Sequence, residues 1–550
     1  MPTLQFKGKS FVQSHHLTVP FHELIPVPER SLTDRVCLED NLIIHGDNLA
    51  ALKSLLPQYR ERVDVVYIDP PYNTGTESWV YNDNVNAPML KAWLGRVVDR
   101  DDLSRHDKWL CMMMPRLRLL RELLAPGGVI FVSIDHNEIH HLRCLMDEVF
   151  GEENYRDTIV VRRGAKNVQA QFDTIGALSN GYESILVYSR NPDVRFQKVH
   201  ADEEDPRPGG WNRHWRGTDR PTMRYPLFGI TPERGQWRWA EARSLQAIRN
   251  YERMLSDLGE QGLPVTQENI DRWYLEEVQR TGQPVDLLRL SATGMPEHYI
   301  PPGRRPLLSN LWTDLRPTGH HQAAQILGGR VFDNPKPVAL IQRLIRFATA
   351  RPDVIVLDAF AGSGTTAHAV LDLNRADGGC RRFILMEMEA YADTITAERV
   401  RRVIRGVPEA HDETLRRGTG GSFSFYRVGA PLDPEGLLSG RTLPAYEELA
   451  RYVFHTATGE PFRPEAMDRR RGFIGAGRDA EVYLVYEPDL EILKSLSITP
   501  EYLRMLGPPG WRRRVVFAPA RWVDDALLEA AGVEFAQLPY ALFQVRGDGG

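Results

Sequence analysis

The chain lacks the features that mark secreted, membrane and metal-dependent proteins. It has four cysteines in 550 residues, none paired at metal-ligand spacing, which predicts a reduced cytoplasmic protein without structural zinc. Its first ten residues contain two lysines but no apolar segment follows them, so we expect no signal peptide. No apolar run approaches the roughly 20 residues that cross a bilayer, so we expect no membrane partner.

Composition indicates an ordinary globular protein with several domains. Apolar residues make up 42% of the chain and charged residues 26%. A chain of 550 residues exceeds what one hydrophobic core can organise, so we expect two to four domains. The net charge of −5 neither indicates nor excludes nucleic-acid binding, because a local basic surface is what faces phosphates.

Two groups of histidines raise the question of a metal site. They are His15 with His16, and His136 with His140 and His141. Residues 136 and 140 could share a helix face, but neither group has cysteine or acidic partners at ligand spacing, and no third ligand is evident. We therefore expect structural or surface roles for them and predict no metal site.

Short apolar strands alternate with amphipathic helices in residues 41–190 and 331–405, which predicts a parallel α/β sheet. Residues 191–330 lack this alternation of strands and helices and are rich in Pro, Gly, Trp and Arg. We interpret the chain as an N-terminal extension (1–40), one α/β domain interrupted by an insertion, and a C-terminal α+β module (406–550). The predicted strands are Asn41–His45, Val63–Ile68, Val129–Ile134, Ser184–Tyr188, Val354–Asp358 and Phe383–Glu387, and the predicted helices are Asp107–Leu124, Val338–Thr349 and Thr365–Leu373.

One predicted strand ends in an acidic residue, two prolines and an aromatic residue, in the sequence VVYIDPPYN at Val65–Asn73. The prolines remove backbone donors and fix φ, so the loop is rigid and leaves carbonyl oxygens unpaired. Those oxygens and the Asp69 carboxylate can accept both protons of an exocyclic NH₂ group, which makes its nitrogen nucleophilic, while Tyr72 offers a ring for stacking. A target base must leave the duplex to reach this loop. We predict that Asp69, Pro70, Pro71 and Tyr72 are catalytic; the alternative is a structural Pro-Pro turn.

A second buried strand enters a glycine-rich turn that opens a helix, in the sequence VIVLDAFAGSGTT at residues 354–366. Gly362 and Gly364 let the backbone approach a ligand, and a helix N-terminus favours an anion. Glu387, at the end of the next strand, can bond ribose hydroxyls. The absence of Gly-Lys-Ser/Thr excludes a P-loop. With Phe360, these residues favour a methionine nucleoside over a dinucleotide site or a plain tight turn.

The two sites together resemble the β-group amino methyltransferases of DNA, in which Asp-Pro-Pro-Tyr precedes the cofactor motif Phe-x-Gly-x-Gly. The resemblance runs from about Asn41 to Ile404 and implies a circularly permuted, Rossmann-like class I methyltransferase domain. Residues 41–190 would be its catalytic half, 331–405 its cofactor-binding half and 191–330 an inserted target-recognition domain. The implied cofactor is S-adenosylmethionine. The residues that the resemblance places around it are Asp47, Asp69, Asn334, Lys336, Asp358, Phe360, Gly362, Gly364, Thr365 and Glu387.

Within that pocket the resemblance implies particular roles. Glu387 would hold the ribose and Asp47 would contact the cofactor's adenine, although a helix N-cap before Leu49 is an alternative for Asp47. Residues 334–337 would close over the methionine end of the cofactor. A plain turn before a helix is the alternative for that segment.

More specifically, the chain resembles the modification subunits of type III restriction–modification systems. The motifs that carry this resemblance are DPPYNTG at 69–75, LWTD at 311–314 and FILMEM at 383–388. It implies methylation of adenine N6 in double-stranded DNA, and a C-terminal region that forms a homodimer and contacts a helicase–nuclease subunit. One departure is GYE at 181–183, where relatives often have His-Glu-Tyr, so any role of that histidine is in doubt.

Other activities remain open from the sequence. Cytosine N4 methylation would use the same loop chemistry, although Asp rather than Ser at position 69 favours adenine. RNA or a protein glutamine are other possible substrates, but the long insert rich in Arg and Trp favours a duplex. A catalytically inactive DNA-binding specificity subunit is the third alternative, and the intact Asp69, Pro70, Tyr72 and Gly362 argue against it.

The insert is most basic in residues 211–250, which contain eight arginines and three acidic residues, with four tryptophans among them. Arginine suits phosphate contacts and the reading of guanine edges, and aromatic rings can stack on unpaired bases. The alternative is a solvated surface whose tryptophans fill a small core. The predicted DNA-binding residues are Arg213, Arg216, Arg220 and Arg224 here, and Arg162, Arg163 and Lys166 in a second basic stretch that could equally be an exposed loop.

Overall fold

The computed structural model describes residues 4–74, 104–163, 178, 180–200, 208–218, 220–303, 307–432, 437 and 443–538. Of the predicted site residues, Lys166 lies outside these ranges. The chain divides into two compact units, Met1–Gln197 with Ser309–Gly550, and Lys198–Leu308. Within the described ranges, no helix has both the length and the hydropathy that a bilayer span requires.

The strands and helices are numbered in chain order. The strands are β1 (His22–Pro26), β2 (Leu42–His45), β3 (Val63–Ile68), β4 (Leu124–Ile134), β5 (Tyr155–Arg162), β6 (Tyr182–Ser189), β7 (Gly210–Arg213), β8 (Trp215–Arg216), β9 (Gln236–Trp237), β10 (Leu288–Leu290), β11 (Pro296–Ile300), β12 (Leu311–Trp312), β13 (Ile355–Asp358), β14 (Arg382–Glu387), β15 (Ser424–Pro431), β16 (Phe473–Ala476), β17 (Ala480–Leu484), β18 (Arg513–Ala518) and β19 (Val533–Gln537). The helices are α1 (Lys9–Val12), α2 (His15–Thr18), α3 (Asn48–Tyr59), α4 (Arg105–Leu123), α5 (Ile139–Phe150), α6 (Glu241–Glu260), α7 (Gln267–Thr281), α8 (Gly319–Leu327), α9 (Val338–Ala348), α10 (Thr365–Asp377), α11 (Glu398–Arg405), α12 (Glu413–Arg417), α13 (Tyr446–Thr458), α14 (Leu490–Ser495), α15 (Pro500–Leu506) and α16 (Asp525–Ala530).

A ten-stranded sheet forms the centre of the first unit, in the order β1-β15-β2-β14-β13-β3-β4-β6-β5-β12. From β15 to β4 the neighbouring strands are parallel, whereas β6 is antiparallel to both β4 and β5. Strand β13 lies beside β3, with Val356 opposite Val65, although it follows β3 late in the chain. This order confirms the predicted circularly permuted α/β fold.

Helices cover both faces of the sheet because its strands are apolar on both sides. Along β4, Ile130 and Val132 belong to a core shared with α3, α4 and α5. The intervening Phe131 contacts Phe347 of α9, with ring centroids 6.4 Å apart. Since successive strand side chains point to opposite faces, α9 lies on the face away from α4. Burial on both sides explains why these strands have near-continuous apolar sequences.

The chain connections diverge at the middle of the sheet, between β13 and β3. Strand β13 leads through α10 to β14 on one side, and β3 leads through α4 to β4 on the other. Open α/β sheets bind ligands at the carboxyl ends of the strands at such a point. Here those ends carry Asp358 and Asp69, so the fold brings the two sequence motifs together.

Segments outside the two predicted halves also belong to the first unit. Strand β15 extends the sheet beside β2, and β1 pairs with β15. The Tyr452 hydroxyl of α13 donates to the His22 carbonyl oxygen at 2.6 Å, which links the C-terminal module to β1. That module contains a second sheet, in the order β16-β17-β18-β19. The N-terminal extension and the start of the C-terminal region therefore complete the central sheet.

The second unit, Lys198–Leu308, has its own core. It contains the sheet β10-β11-β7, the strand pair β8–β9, and helices α6 and α7. Met254, Leu258 and Trp273 are among the buried residues between them. This unit is shorter than the predicted insert of residues 191–330, because β12 pairs with β5 of the first unit. The bounds of the five predicted segments remain predictions.

Candidate active site

A cavity of about 1070 Å³ opens at the carboxyl ends of β13 and β3. Ligand pockets for small molecules typically measure roughly 300–1000 Å³, so this cavity has room for a cofactor and part of a second ligand. Most of the predicted catalytic and cofactor residues line it, and Gly364 does not. The lining includes Asp47, Asp69, Pro70, Pro71, Tyr72, Asn334, Lys336, Asp358, Phe360, Gly362, Thr365 and Glu387.

The glycine-rich turn has backbone angles that favour glycine. Gly362 has φ +51° and Gly364, the N-cap of α10, has φ +80°. The Gly362 amide donates to Glu387 Oε2 at 2.8 Å, and Glu387 Oε1 accepts from the Glu389 amide at 3.0 Å. A Cβ on Gly362 would lie 3.1 Å from the Phe332 ring, whereas one on Gly364 would lie 3.1 Å from the Thr396 carbonyl oxygen. The missing side chain at Gly362 therefore leaves room beside Phe332 in the cavity lining. At Gly364 it allows close packing against Thr396 behind the turn.

Buried carboxyl groups border the turn. Asp358 accepts from the Phe360 amide at 3.0 Å and from the Thr366 hydroxyl at 2.6 Å. Burial raises the pKa of Asp358 to about 7, and burial likewise raises the pKa of Glu387 to about 7. Desolvated acidic groups disfavour an anionic ligand, so this end of the cavity suits hydroxyl and cationic groups.

Behind the turn lies a buried arginine that sequence reasoning missed. Arg399 of α11 is fully buried and donates to the Ser363 hydroxyl at 2.7 Å and to the Thr365 hydroxyl at 2.9 Å. The sequence feature that could have revealed the burial of Arg399 is its position one turn before Val403, on the apolar face of α11. Arg399 holds the start of α10 from the side away from the cavity.

The loop that contains Asp69 and Tyr72 is linked to Lys336 by a compact network of charged and polar side chains. The Lys336 ammonium lies 3.0 Å from Asp69 Oδ1 and 3.0 Å from Glu183 Oε2, and it donates to the Tyr72 hydroxyl at 2.7 Å. The Tyr72 hydroxyl in turn donates to Glu183 Oε2 at 3.3 Å. The ammonium therefore donates hydrogen bonds to the Tyr72 hydroxyl and to Glu183 Oε2, and its contact with Asp69 Oδ1 is an ion pair.

Burial and charge have opposite effects on Asp69. Burial raises the pKa of Asp69; the Lys336 ammonium opposes this rise and the Glu183 carboxylate adds to it. Burial disfavours the charge of Lys336, but Asp69 and Glu183 together hold the pKa of Lys336 above its usual range. Lys336 therefore favours the ionised form of Asp69, and an ionised carboxylate is a pure hydrogen-bond acceptor.

Two residues of this network make contacts that the sequence did not indicate. The resemblance implies a cofactor role for Lys336, whereas its ammonium points at the catalytic loop. Glu183 was not predicted to act in the site. The feature that could have revealed Glu183 is a carboxylate within the apolar strand β6, where seven of the eight residues are buried. Asn334 is exposed on the cavity lining with φ +55°, which fits the turn before α9.

One loop carbonyl is paired, contrary to the expectation for this loop. The fully buried Trp109 of α4 donates its indole N–H to the Pro71 carbonyl oxygen at 2.7 Å. A proline-rich loop has few donors of its own, so a side chain from α4 satisfies this acceptor. Trp109 thereby anchors the loop that contains Asp69 and Tyr72.

Asp47 caps a helix and lines the cavity at once. Its Oδ1 accepts from the Leu49 amide at 2.7 Å and from the Ala50 amide at 3.2 Å, so it is the N-cap of α3. The neighbouring Asn48 donates to the Ala359 carbonyl oxygen at 2.9 Å, which ties α3 to the end of β13. The two interpretations of Asp47 are thus compatible.

The predicted DNA-binding residues differ in exposure. Arg162 and Arg163 of the first unit are exposed, and Arg163 lines the cavity. In the second unit Arg224 is half-buried and its Nε donates to the Gly235 carbonyl oxygen at 3.0 Å, which is a structural contact. Of the four predicted arginines in the second unit, the other three, Arg213, Arg216 and Arg220, are exposed.

The tryptophans of the basic stretch have mixed roles. Trp237 is buried and donates to the Tyr225 carbonyl oxygen at 2.7 Å. Trp211 packs edge-on against Tyr251. Trp215 is exposed, with its indole N–H on the Arg234 carbonyl oxygen. Most of these tryptophan rings therefore pack within the unit. The basic surface of the stretch is formed by its exposed arginines.

Comparison with known proteins identifies the family. A sequence model described as DNA methylase matches residues 63–398, more than half of the chain. The chain belongs to the DNA methylase family. This membership confirms the predicted DNA methyltransferase activity and the predicted cofactor, S-adenosylmethionine.

Three curated relatives of this DNA methylase show how far the similarity extends. The type III restriction-modification enzyme StyLTI Mod subunit of Salmonella typhimurium is 28% identical over 535 residues, with 89% of this chain and 77% of that protein covered. The type II methyltransferase M.KpnI of Klebsiella pneumoniae is 32% identical over 360 residues, covering 62% and 79%. The type III EcoPI Mod subunit of Escherichia phage P1 is 31% identical over 415 residues, covering 64% and 57%.

The cavity fits the cofactor of this DNA methylase. S-adenosylmethionine supplies an activated methyl group next to a cationic sulfur. The buried acidic groups Asp358 and Glu387 suit its hydroxyl and cationic parts. Gly362 has no side chain where the Phe332 ring closes the lining, so the backbone can approach the ligand. We expect these residues, with Asp47 and Phe360, to hold the cofactor.

Substituting alanine at Gly362 should weaken S-adenosylmethionine binding by at least about tenfold, or ~1.4 kcal/mol, without unfolding the protein. A Cβ there would strain a residue at φ +51° and press on Phe332. The matched control is Gly378→Ala, because Gly378 has φ +70° but no atom within 4 Å of an added Cβ. Equal S-adenosylmethionine affinities of the two variants, measured by calorimetry, would show that Gly362 is not part of the cofactor pocket.

Proposed function

We propose that this DNA methylase transfers a methyl group from S-adenosylmethionine to N6 of an adenine flipped out of double-stranded DNA. The observation that carries the proposal is the position of Asp69 and Tyr72 on the same cavity as the glycine-rich cofactor turn. An amine bound between the two motifs would meet an acceptor on one side and the methyl donor on the other. Asp at position 69 supports adenine over cytosine.

In this proposal each residue of the charged network has a role. Asp69 accepts a hydrogen bond from the target amine and is the nearest carboxylate to take the proton that the nitrogen loses. Lys336, 3.0 Å from Asp69, lowers the pKa of that carboxyl group and so favours its ionised form. Glu183 and Tyr72 hold the Lys336 ammonium in place. Positioning of this kind, together with fixed charges, accounts for large parts of enzymatic rate enhancement.

Identification of the methylated nucleoside tests the proposal. The protein is incubated with unmethylated duplex DNA and S-adenosylmethionine, and the digested product is analysed by mass spectrometry. N6-methyladenine is the expected product. N4-methylcytosine would support the rival activity, and cofactor and DNA binding without any methyl transfer would support an inactive specificity subunit.

We further propose that the second unit contacts the DNA backbone through Arg213, Arg216 and Arg220, which are exposed. Each Arg→Ala change should lower affinity for cognate and scrambled duplexes alike. Loss of one phosphate contact should flatten the dependence of log affinity on log salt by about one unit of slope. A base-reading arginine would instead cost roughly 1–3 kcal/mol on the cognate site only.

The matched control for these changes is Arg272→Ala. Arg272 is an exposed arginine on α7 of the same unit, and it pairs with Glu268 at 3.4 Å. DNA affinity and salt slope should be unchanged in that variant, and cofactor affinity should be unchanged in all of them. If Arg213→Ala and Arg216→Ala behave like Arg272→Ala, target contact must lie elsewhere.

The biological setting that we propose is a type III restriction–modification system in the cytoplasm. Two of the three relatives compared are named Mod subunits of type III enzymes. The chain would act as a homodimer through residues 406–550 and assemble with a helicase–nuclease subunit. Light scattering of the purified protein tests the dimer, because a monomer mass at micromolar concentration would contradict it.

A further inference from the structure

A second buried carboxylate lies behind the catalytic loop. Glu138, the N-cap residue of α5, is fully buried. Its Oε1 accepts from the Asn73 side-chain amide at 2.5 Å and is 2.6 Å from His106 Nδ1. Its Oε2 is 2.9 Å from His141 Nδ1. Both oxygens of the carboxylate are therefore occupied by donors from three parts of the chain.

Asn73 connects this carboxylate to the catalytic loop. It follows Tyr72 directly, has φ +58° and is 1% exposed. Only glycine, asparagine and aspartate adopt left-handed backbone angles at low cost, so the turn after Tyr72 depends on this residue type. Its side-chain amide is held by Glu138, which fixes both the direction of the turn and the exit of the loop.

The two histidines hold the carboxylate in place. His106 is on α4 and His141 on α5, and their ring centroids are 4.8 Å apart. The hydrogen bond to Glu138 raises the pKa of His141, and burial opposes this rise. The ligand-type atoms of the three side chains lie within 4.8 Å of one another, a cluster that the sequence spacing did not reveal. Because Glu138 already accepts bonds at 2.5–2.9 Å, hydrogen bonding accounts for the cluster.

We propose that Glu138, clamped between His106 and His141, is a positioning residue for methyl transfer. It acts through Asn73, whose left-handed turn sets where Asp69 and Tyr72 meet the target amine. The inference rests on the proposed function of the Asp69–Tyr72 loop. Glu138 and the two histidines would thus support the site from behind, without contacting the cofactor or the target base.

Exchange of the donor and the acceptor tests this role. Asn73→Asp should place two carboxylates against each other, and Glu138→Gln should replace the acceptor by an amide. Each single change should lower the single-turnover methyl-transfer rate by roughly 10- to 100-fold, because small misplacements of reacting groups have effects of that size. In the double variant the amide at position 138 donates to the carboxylate at position 73, so the hydrogen bond re-forms in the opposite direction. His106 can change its tautomer to accept from the new amide. Its rate should exceed that of either single variant by about tenfold.

Two further measurements separate positioning from a general loss of structure. S-adenosylmethionine affinity should stay within about twofold of wild type in all variants, since Glu138 is not in the pocket lining. Amide hydrogen exchange in the Asp69–Thr74 loop should be faster in the single variants and return towards wild type in the double variant. Glu152→Gln, at an exposed glutamate just after α5, should match wild type throughout.

The outcomes are distinct. Single variants with wild-type rates, or a double variant whose losses simply multiply, would overturn the positioning role. Stoichiometric divalent metal in the purified protein, with chelation reproducing the Glu138→Gln loss, would also overturn it. An inactive wild-type enzyme would refute the proposed function alone, and the exchange rates of the loop would then decide the inference.

Discussion

Replacing Asp69 with alanine should abolish methyl transfer and leave S-adenosylmethionine binding largely intact. In the proposed function Asp69 accepts a hydrogen bond from the target amine, whereas the glycine-rich turn is bonded separately to Glu387. Removing one preorganised hydrogen-bonding partner of a transition state costs about 3 kcal/mol, or roughly 10²- to 10³-fold in rate. Single-turnover kinetics measure the rate, and calorimetry measures the cofactor affinity.

A matched control for that change is Asp193→Ala. Asp193 is an exposed aspartate outside the cavity, so this variant should keep wild-type kinetics. An Asp69→Ala enzyme that keeps more than about a tenth of the wild-type rate would contradict the acceptor role, since the expected loss is larger.

Lys336→Met should reduce methyl transfer by more than roughly 100-fold near neutral pH, and it should also destabilise the fold. Removing one partner of a buried ion pair leaves uncompensated charge, which costs about 3–5 kcal/mol before protonation relieves part of it. Here Asp69 and Glu183 would face each other without the ammonium between them.

The pH dependence of the Lys336→Met rate gives the sharper test. The ammonium lowers the pKa of Asp69, so its removal raises that pKa, and a smaller fraction of Asp69 is ionised at a given pH. The acid limb of the single-turnover profile should therefore move to higher pH. Adding Glu183→Gln removes one of the two unpaired carboxylates and should recover part of the stability. An unchanged profile would show that Lys336 does not act on Asp69.

Hydrophobic patterning predicted six of the ten strands of the central sheet. The predicted strand Val63–Ile68 has the same bounds in the structure, and the predicted helix Val338–Thr349 ends one residue earlier. The strand is a mostly buried apolar run and the helix is amphipathic, with Ala339 and Arg346 exposed, so local pattern and tertiary burial agree. Strand β4 starts at Leu124 rather than Val129, because the pairing with β3 continues through an irregularity at the Pro-Gly-Gly turn.

The polar layers of the site could not be read from the sequence. Glu183, Arg399 and Glu138 join the site from distant parts of the chain, and a single charged residue within an apolar segment does not reveal its partner. The same holds for Trp109, which pairs with a proline carbonyl oxygen from another element. Motif reasoning located the residues expected to touch ligand, and the contacts between elements added those that position them.

Modification-sensitive sequencing of DNA from cells that express the protein tests the central claim most directly. The account predicts N6-methyladenine at one defined sequence motif in cells with the wild-type chain, and none in cells with an equal amount of folded Asp69→Ala protein. Methylated cytosine at the motif, or the same methyladenine pattern in both cultures, would contradict it.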